Sequence, residues 1–301
     1  MYDLAVIGAG AAGLSAAIYA ARANLNFIVL EQDGFGGGQI VSAHSVQNYP
    51  GAGEISGNEL SEKLRNHAVS LGAEIIFFDV ESITDHAGHK LITSSLGEII
   101  EAKAVILATG AIPKKLGVKG ENEFFGRGVS YCATCDGAFF NGKDAAVIGG
   151  GDAAVEDALY LSKICRTVTL IHRRSEFRAA KSRVELLEKS ENVKIILNTE
   201  VKEIIGEKSV KGLKTTSGKT ESELPADGVF VAVGTTPVTN CISGLPLTFE
   251  NGFVIAGEDC KTEIPGLFVA GDIRKKQLRQ VLTAAADGAN AVLSVQEYLN
   301  K

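Results

Sequence analysis

No surplus of positive charge runs through this chain. Its 301 residues carry 30 Lys and Arg against 36 Asp and Glu, a net charge of −6, and phosphate recognition needs a basic face, so nothing supports a nucleic-acid partner. Cysteine is scarce and odd in number. Of five, only Cys132 and Cys135 stand close together, while Cys165, Cys241 and Cys260 are scattered, which argues against a secreted disulfide framework. No second Cys/His pair near Cys132 and Cys135 completes a zinc site, so no metal is expected. Uninterrupted apolar runs of membrane length are missing as well. The stretch Leu4 to Ala21 comes closest, but it opens on Met1-Tyr2-Asp3 instead of cations and is broken by Gly8, Gly10 and Gly13. A buried strand, a glycine turn and a buried helix fit it better. The expectation is a cytoplasmic protein with no targeting segment and no membrane partner.

What the chain does have is glycine, 34 residues of it, with 45% hydrophobic and 22% charged content. That is a globular composition rich in tight turns, long enough for two domains. Leu4 to Ile7 reads as a strand, Ala11 to Ala23 as a helix and Phe27 to Leu30 as a second strand. The same order returns with Ala145 to Ile148, Gly149-Gly150-Gly151, a helical Ala153 to Lys163 and a strand Thr167 to Ile171. Each unit closes alike, on Val105 to Pro113 (VILATGAIP) and on Val229 to Pro237 (VFVAVGTTP). Two mononucleotide-binding units stand in tandem, an internal duplication. A third apolar strand, Leu267 to Ala270, and a helical pattern from about Gln280 to Tyr298 are too short to be a domain and return to the first unit. The fold class is therefore α/β: two Rossmann-like dinucleotide-binding domains with parallel sheets covered on both sides, the second inserted into the first. The expected boundaries are 1–112, 113–240 and 241–301.

Gly8-Ala9-Gly10-Ala11-Ala12-Gly13 matches the dinucleotide pattern G-x-G-x-x-G. Chance alone supplies roughly 0.4 such matches in so glycine-rich a chain, so the weight rests on the strand before it and the helix after it. Backbone can approach a pyrophosphate there, and the helix N-terminus offers free N–H groups. Glu31 ends the next strand, where a carboxylate can accept from an adenosine ribose. In the second unit the turn is Gly149-Gly150-Gly151-Asp152-Ala153-Ala154, the G-x-G-x-x-A variant, with Gly149, Gly151 and Ala154 at its fixed positions. The strand that follows ends in His172-Arg173-Arg174, with Arg178 close behind. Guanidinium groups pair with a 2′-phosphate that a carboxylate would repel. The first unit thus suits an unphosphorylated adenosine ribose and the second suits NADPH. The bland alternative for the arginines is a solvated surface run.

Cys132-Ala133-Thr134-Cys135 is followed by Asp136-Gly137. Roughly 0.08 pairs at this spacing are expected by chance, and the spacing lets a disulfide form within one turn. A redox dithiol is favoured over two inert buried thiols. Asp136 is placed to hold or deliver the proton that thiol exchange requires; an ordinary turn aspartate before glycine is its alternative. Among the histidines only His172 has a positional argument, for the phosphate of NADPH, so chemistry that uses a histidine base is disfavoured.

The motifs GAGAAG, CATCDG, GGGDAAVE, HRRSEFRAAK and AGDIRKKQLRQ, in this order and spacing, resemble the low-molecular-weight thioredoxin reductases, NADPH- and FAD-dependent pyridine nucleotide-disulfide oxidoreductases. The resemblance spans essentially the whole chain. It implies that Gly8, Gly10, Gly13 and Glu31 hold FAD, with Gln39 and Asn48 near the flavin, Asp272 at the ribityl-phosphate region and Arg279 and Gln280 by the isoalloxazine. It implies further that Cys135 faces the flavin, that Cys132 attacks the partner's disulfide and that Asp136 is the acid/base. The partner would be thioredoxin or a similar small redoxin, and the enzyme a homodimer. The dithiol and the NADPH residues fall in the inserted unit and FAD in the outer one, so rotation of the inserted unit about the segments near Pro113 and Pro237 is expected. A dithiol flavin oxidase would not need the Arg173/Arg174/Arg178 cluster, a ferredoxin-linked reductase would lack either the dithiol or that cluster, and a non-catalytic redox sensor would not consume NADPH.

Overall fold

The computed structural model describes residues 1–33, 36–43, 45–86 and 88–300. The chain divides into two compact units, Met1–Ile112 with Thr236–Lys301, and Pro113–Thr235. In the first, strands β1 (Tyr2–Ile7), β2 (Phe27–Glu31), β3 (Ile75–Phe77), β4 (Val80–His86), β5 (His89–Ser94) and β6 (Ile99–Leu107) form one sheet in the order β3-β2-β1-β6-β5-β4. Helix α1 (Ala11–Arg22) links β1 to β2, and α2 (Gly57–Ser70), capped by Ser56 Oγ accepting from Glu59 N–H at 3.2 Å, precedes β3. The crossing strand β7 (Ala111–Pro113) leads out of this unit.

In the second unit, β8 (Val129–Ser130), helix α3 (Ala133–Asp136), β9 (Asp144–Ile148), α4 (Asp152–Ser162), β10 (Thr167–Ile171), α5 (Lys181–Glu188), β11 (Val193–Ile196), β12 (Glu200–Gly206), β13 (Val210–Ser217), β14 (Thr220–Pro225) and β15 (Gly228–Val231) follow in turn. The parallel sheet runs β11-β10-β9-β15-β8, and β12-β13-β14 is a separate antiparallel sheet. The return strand β16 (Thr235–Pro237) pairs with β7. A hairpin of β17 (Phe249–Glu250) and β18 (Phe253–Val254), then β19 (Leu267–Val269) and α6 (Val281–Leu299), complete the first unit.

Side-chain alternation along the central strands builds both faces of each sheet. Leu4 and Val6 of β1 pack with α1 and α6, whereas Ala5 and Ile7 face a separate core with Leu107, Val254 and Ile273. In the second unit Ala145 and Val147 pack with α4, and Ala146 and Ile148 pack with Val201, Ile204 and Leu213 of the antiparallel sheet. The alanines of α1 permit close approach of α6: a Cβ on Gly288 would clash with the Ala12 carbonyl.

Two expectations need correction. The return to the first unit comes at Thr236, not at residue 241, because Val238 is already tied to it, its N–H donating to Gly110 O at 3.0 Å and its carbonyl accepting from Thr109 Oγ1 at 2.6 Å. The sheet of the first unit is mixed, not parallel. β4 and β5 run antiparallel to their neighbours, and β6 accepts β5 along its first half and parallel β19 along its second.

Candidate active site

In the first unit the glycine turn sits where it was expected, between β1 and α1. Gly13 packs so tightly that a Cβ there would run into the Gly8 carbonyl, and one on Gly8 would lie 2.6 Å from Ala108 O. Gly10 differs: the nearest atom to an added Cβ is Gly38 Cα at 4.0 Å. The fold itself demands glycine at the outer two positions and leaves room above the middle one, the space a phosphate needs. Glu31 is buried at the end of β2. Its Oε2 accepts from Ala9 N–H at 2.6 Å and its Oε1 from Asp33 N–H at 3.3 Å. Burial raises its pKa above the usual carboxylate value, and the Ala9 hydrogen bond opposes that rise.

Three further segments converge on this turn. Gly37 N–H donates to Ala9 O at 2.7 Å, which brings up the 3-10 turn Gly38–Ser42 with exposed Gln39. A Cβ on Gly271 would lie 2.9 Å from that of Ala12, so Asp272 stands beside the first turn of α1. Asn48 Nδ2 donates to Gln280 Oε1 at 2.9 Å, and Gln280 N–H to Thr283 Oγ1 at 3.1 Å, at the start of α6. Arg279 lies against the Phe253 ring, 3.9 Å from its centroid. Asp272 Oδ1 and Arg279 Nε are buried without a hydrogen-bond partner. Burial holds the Asp272 carboxyl above its ordinary pKa despite Lys276 and Arg279 nearby.

In the second unit the Gly149–Gly151 turn joins β9 to α4. A Cβ on Gly151 would meet nothing within 4 Å, while Ala154 is fully buried behind it. The arginine segment is tied to the turn by Arg178 N–H donating to Gly150 O at 2.8 Å and Ala180 N–H to Asp152 Oδ1 at 2.9 Å. Arg173, Arg174 and Arg178 are exposed. His172 is not with them. Its ring is buried against Gly150, where a Cβ would strike it, stacks on Phe177 at 5.5 Å, and has Nε2 3.1 Å from Glu176 O. Burial and the neighbouring arginines push its pKa below the ordinary value, though the Glu176 contact opposes them. It supports the turn from beneath.

Cys132 and Cys135 are joined as a disulfide with Cα atoms 5.3 Å apart. Cys132 caps α3, and its Sγ accepts from Cys135 N–H at 3.2 Å. Asp136 ends the same short helix, with its Oδ2 2.5 Å from Ser130 Oγ. The remaining thiols cannot compete. Cys165, Cys241 and Cys260 are all buried, which pushes the first two up to about 11 and Cys260, with Asp287 adding to the effect, to about 12.

A cysteine pair within one helical turn, in a unit that also carries a glycine turn and an arginine cluster, is the arrangement of a nucleotide-linked dithiol. A family model described as pyridine nucleotide-disulphide oxidoreductase matches residues 2–288. The thioredoxin reductases of Listeria innocua and Bacillus subtilis are each 43% identical to the chain over 305 aligned residues, covering 100% of it and 95% and 96% of themselves. The crystal structure of thioredoxin reductase from Streptococcus pyogenes, 41% identical, superposes with a TM-score of 0.93 over 100% of this chain and 98% of that one. The Giardia duodenalis thioredoxin reductase, 33% identical, also gives 0.93, over 100% and 99%. The chain belongs to the pyridine nucleotide-disulphide oxidoreductase family.

FAD and NADPH are the cofactors of this pyridine nucleotide-disulphide oxidoreductase, and the residues present fit both. Asp272 Oδ1 and Arg279 Nε are buried with no hydrogen-bond partner, polar atoms that a bound group would satisfy, and the open Gly10 leaves room for a phosphate. The open Gly151 and the exposed arginines fit a phosphorylated nucleotide.

Sequence reasoning missed two groups of residues. One is Ser130, which bridges Cys132 and Asp136. Its only signal is a hydroxyl two residues before the first cysteine. The other is a buried charge cluster behind Asp272. Asp287 accepts from Gly271 N–H at 2.9 Å, from Arg274 Nε at 3.1 Å and Nη2 at 2.8 Å, and from Lys276 Nζ at 3.0 Å. An aspartate in the otherwise apolar start of α6, VLTAAADGAN from Val281 to Asn290, answered by Arg274 and Lys276, was the available signal.

Proposed function

We propose that the chain is a thioredoxin-disulfide reductase, in which electrons from NADPH reach the Cys132–Cys135 disulfide through FAD and pass from the dithiol to thioredoxin or a similar small redoxin. The disulfide at the start of α3, with Asp136 one residue after it, carries this reading. The outer unit is the FAD domain. Gly8, Gly10 and Gly13 let its backbone approach the pyrophosphate, Glu31 faces the adenosine ribose, and Asp272 the ribityl-phosphate region. Gln39, Asn48, Arg279 and Gln280 surround the flavin ring, and the N-terminus of α6 favours negative charge there. The inserted unit is the NADPH domain. Gly149, Gly151 and Ala154 shape its turn, and Arg173, Arg174 and Arg178 grip the 2′-phosphate, with His172 holding the turn in place.

The bound flavin supplies a two-electron relay between nicotinamide and disulfide. Everything else is done by the chain. Cys135 is the thiol nearer the flavin, and Cys132 attacks the redoxin disulfide to give a mixed disulfide. Cys135 then displaces the redoxin, and Asp136 holds the proton that a departing thiolate takes up. The N–H of Cys135 aimed at Cys132 Sγ supports the nucleophile's role, since it stabilises a thiolate on that sulfur. The dithiol and the nicotinamide site must each reach the flavin, and the dithiol must also reach a protein, so the inserted unit rotates about β7 and β16 during turnover. The enzyme is a cytoplasmic homodimer; among the described residues no helix is long and apolar enough to cross a membrane. Exposed Tyr19 of α1 and Leu282 and Leu293 of α6 support the pairing of two copies.

Anaerobic titration of the yellow protein with NADPH, and then with NADH, tests the reading. NADPH at low concentration bleaches the flavin and yields two new thiols per chain, and Cys135→Ser abolishes the thiols. Absence of bleaching by either nucleotide would overturn the electron route.

A further inference from the structure

Ser130 ends β8 and is 3% exposed. Its Oγ lies 3.0 Å from Cys132 N, 2.5 Å from Asp136 Oδ2 and 3.3 Å from Cys132 O. A hydroxyl has one proton to give and two lone pairs. The Cys132 N–H can only donate, so Oγ accepts there. Its single proton goes to the short contact, Asp136 Oδ2, at a separation typical of a hydroxyl donating to a carboxylate. One buried side chain therefore holds the backbone of the first cysteine and the carboxylate that follows the second.

We propose that Ser130 is the positioning residue for Asp136, keeping its carboxylate registered on the cysteine pair through the redox cycle. This rests on the reductase reading above. In the oxidised protein the disulfide itself ties Cys132 to Cys135, and Asp136 N–H donates to Cys132 O at 3.1 Å. Reduction removes the covalent tie. Two electrons enter, the S–S bond breaks, and each sulfur takes up negative charge. One receives the proton from Asp136, the other remains a thiolate or is protonated by solvent, and solvent later restores the proton on Asp136. The Ser130 bridge is independent of the S–S bond and survives its cleavage. With Oδ2 engaged as an acceptor, the proton of the acid form rides on Oδ1. When that proton leaves, the Ser130 hydroxyl donates to a full anion, where the bond is strongest.

The sign of the effect follows. A hydrogen bond donated to the carboxylate favours its ionised form, so removing it makes Asp136 hold its proton to higher pH. Whether Asp136 gives or takes the proton in the limiting step, the limb of the pH profile that it sets moves to higher pH. Other titratable groups stand nearby: the cysteines, Tyr131 beside β8, and Glu156, Asp157 and Tyr160 on α4, which packs against α3. Of the α4 groups Asp157 matters most, because burial, with Glu156 adding to it, pushes it up to about 7. Asp157→Asn is accordingly the control.

The experiment follows two steps in the FAD-loaded full chain from pH 5.5 to 9: NADPH bleaching of the flavin, and appearance of two thiols. Ser130→Ala is expected to slow thiol formation about tenfold and to shift its pH limb upward by about one unit, a hydrogen bond to a charged group being of that size. Flavin bleaching and the melting temperature report whether the variant is folded and competent. Ser130→Thr, which keeps the hydroxyl, is expected to restore the wild-type limb, and Asp157→Asn in the wild-type background to leave the limb in place. A Ser130→Ala profile that overlays the wild type, or that falls equally at every pH, overturns the positioning role, as does a limb that moves with Asp157→Asn. If wild-type protein bleaches with NADPH but forms no thiols, the reductase reading fails and the role of Ser130 falls with it; a failure confined to the Ser130→Ala profile overturns the role of Ser130 alone.

Discussion

Asp157 and Asp287 are both withdrawn from water, with opposite results. Burial, with the charge of Glu156 adding to it, raises Asp157 to about 7. Burial acts in the same direction on Asp287, but the hydrogen bonds and charges of Arg274 and Lys276 outweigh it and hold the carboxyl below its ordinary value. For Asp157 the folded pKa exceeds the unfolded one, so its favourable contribution is complete only below about pH 4 and is lost as pH rises through 7. Asp157→Asn should therefore raise the melting temperature by about 4 °C or more at pH 8 and by less at pH 5. An equal gain at the two pH values would assign the effect to something other than ionisation. Asp287→Ala is the opposite case. It strands the Arg274 guanidinium, 5% exposed, and the Lys276 ammonium, 7% exposed, and should cost about 3–5 kcal/mol in urea unfolding. A loss under 1 kcal/mol would mean that the cluster relaxes toward solvent.

At the scale of elements, the two glycine turns separate packing from binding. Gly13→Ala drives a Cβ into the Gly8 carbonyl and should displace α1 from β1, lowering both stability and flavin retention. Gly10→Ala meets no chain atom nearer than 4.0 Å. It should melt as the wild-type apoprotein does yet retain flavin at least tenfold more weakly, read by release on dilution. Equal flavin retention in Gly10→Ala would remove the phosphate from that position. These turns were legible because strand, glycines and helix are contiguous, so a local pattern encodes a local shape. The antiparallel β4–β5 pair was not legible as part of the same sheet. Its two strands extend a parallel core only through β6, a strand whose two halves take different partners on one edge. For a related reason the position of His172 at a strand end was visible, but not that its ring turns under Gly150.

The whole molecule sets nucleotide preference and turnover. Replacing Arg173, Arg174 and Arg178 together by Ala should raise KM for NADPH by about 100-fold while leaving NADH nearly unchanged, since charge-assisted bonds to a phosphate exist for only one of them. Parallel losses with both nucleotides would make the arginines a solvated surface run after all. An engineered disulfide between the two units should suppress steady turnover and be relieved by reduction, and full activity in the crosslinked form would rule out rotation as a required step.

The sequence alone was enough for the tandem dinucleotide units, the insertion of one in the other, the redox pair and the placement of cations at the end of β10. Each is written in residues adjacent along the chain, where spacing and secondary-structure period act directly. Only the tertiary structure could decide which polar side chains meet: Ser130 with Asp136 and Asp287 with Arg274 and Lys276 in the interior, Asn48 with Gln280 at the surface. Their partners lie between six and 232 residues apart. A hydrogen bond between distant side chains depends on distances of a few tenths of an ångström, and those are fixed by the packing of whole elements and not by any local pattern.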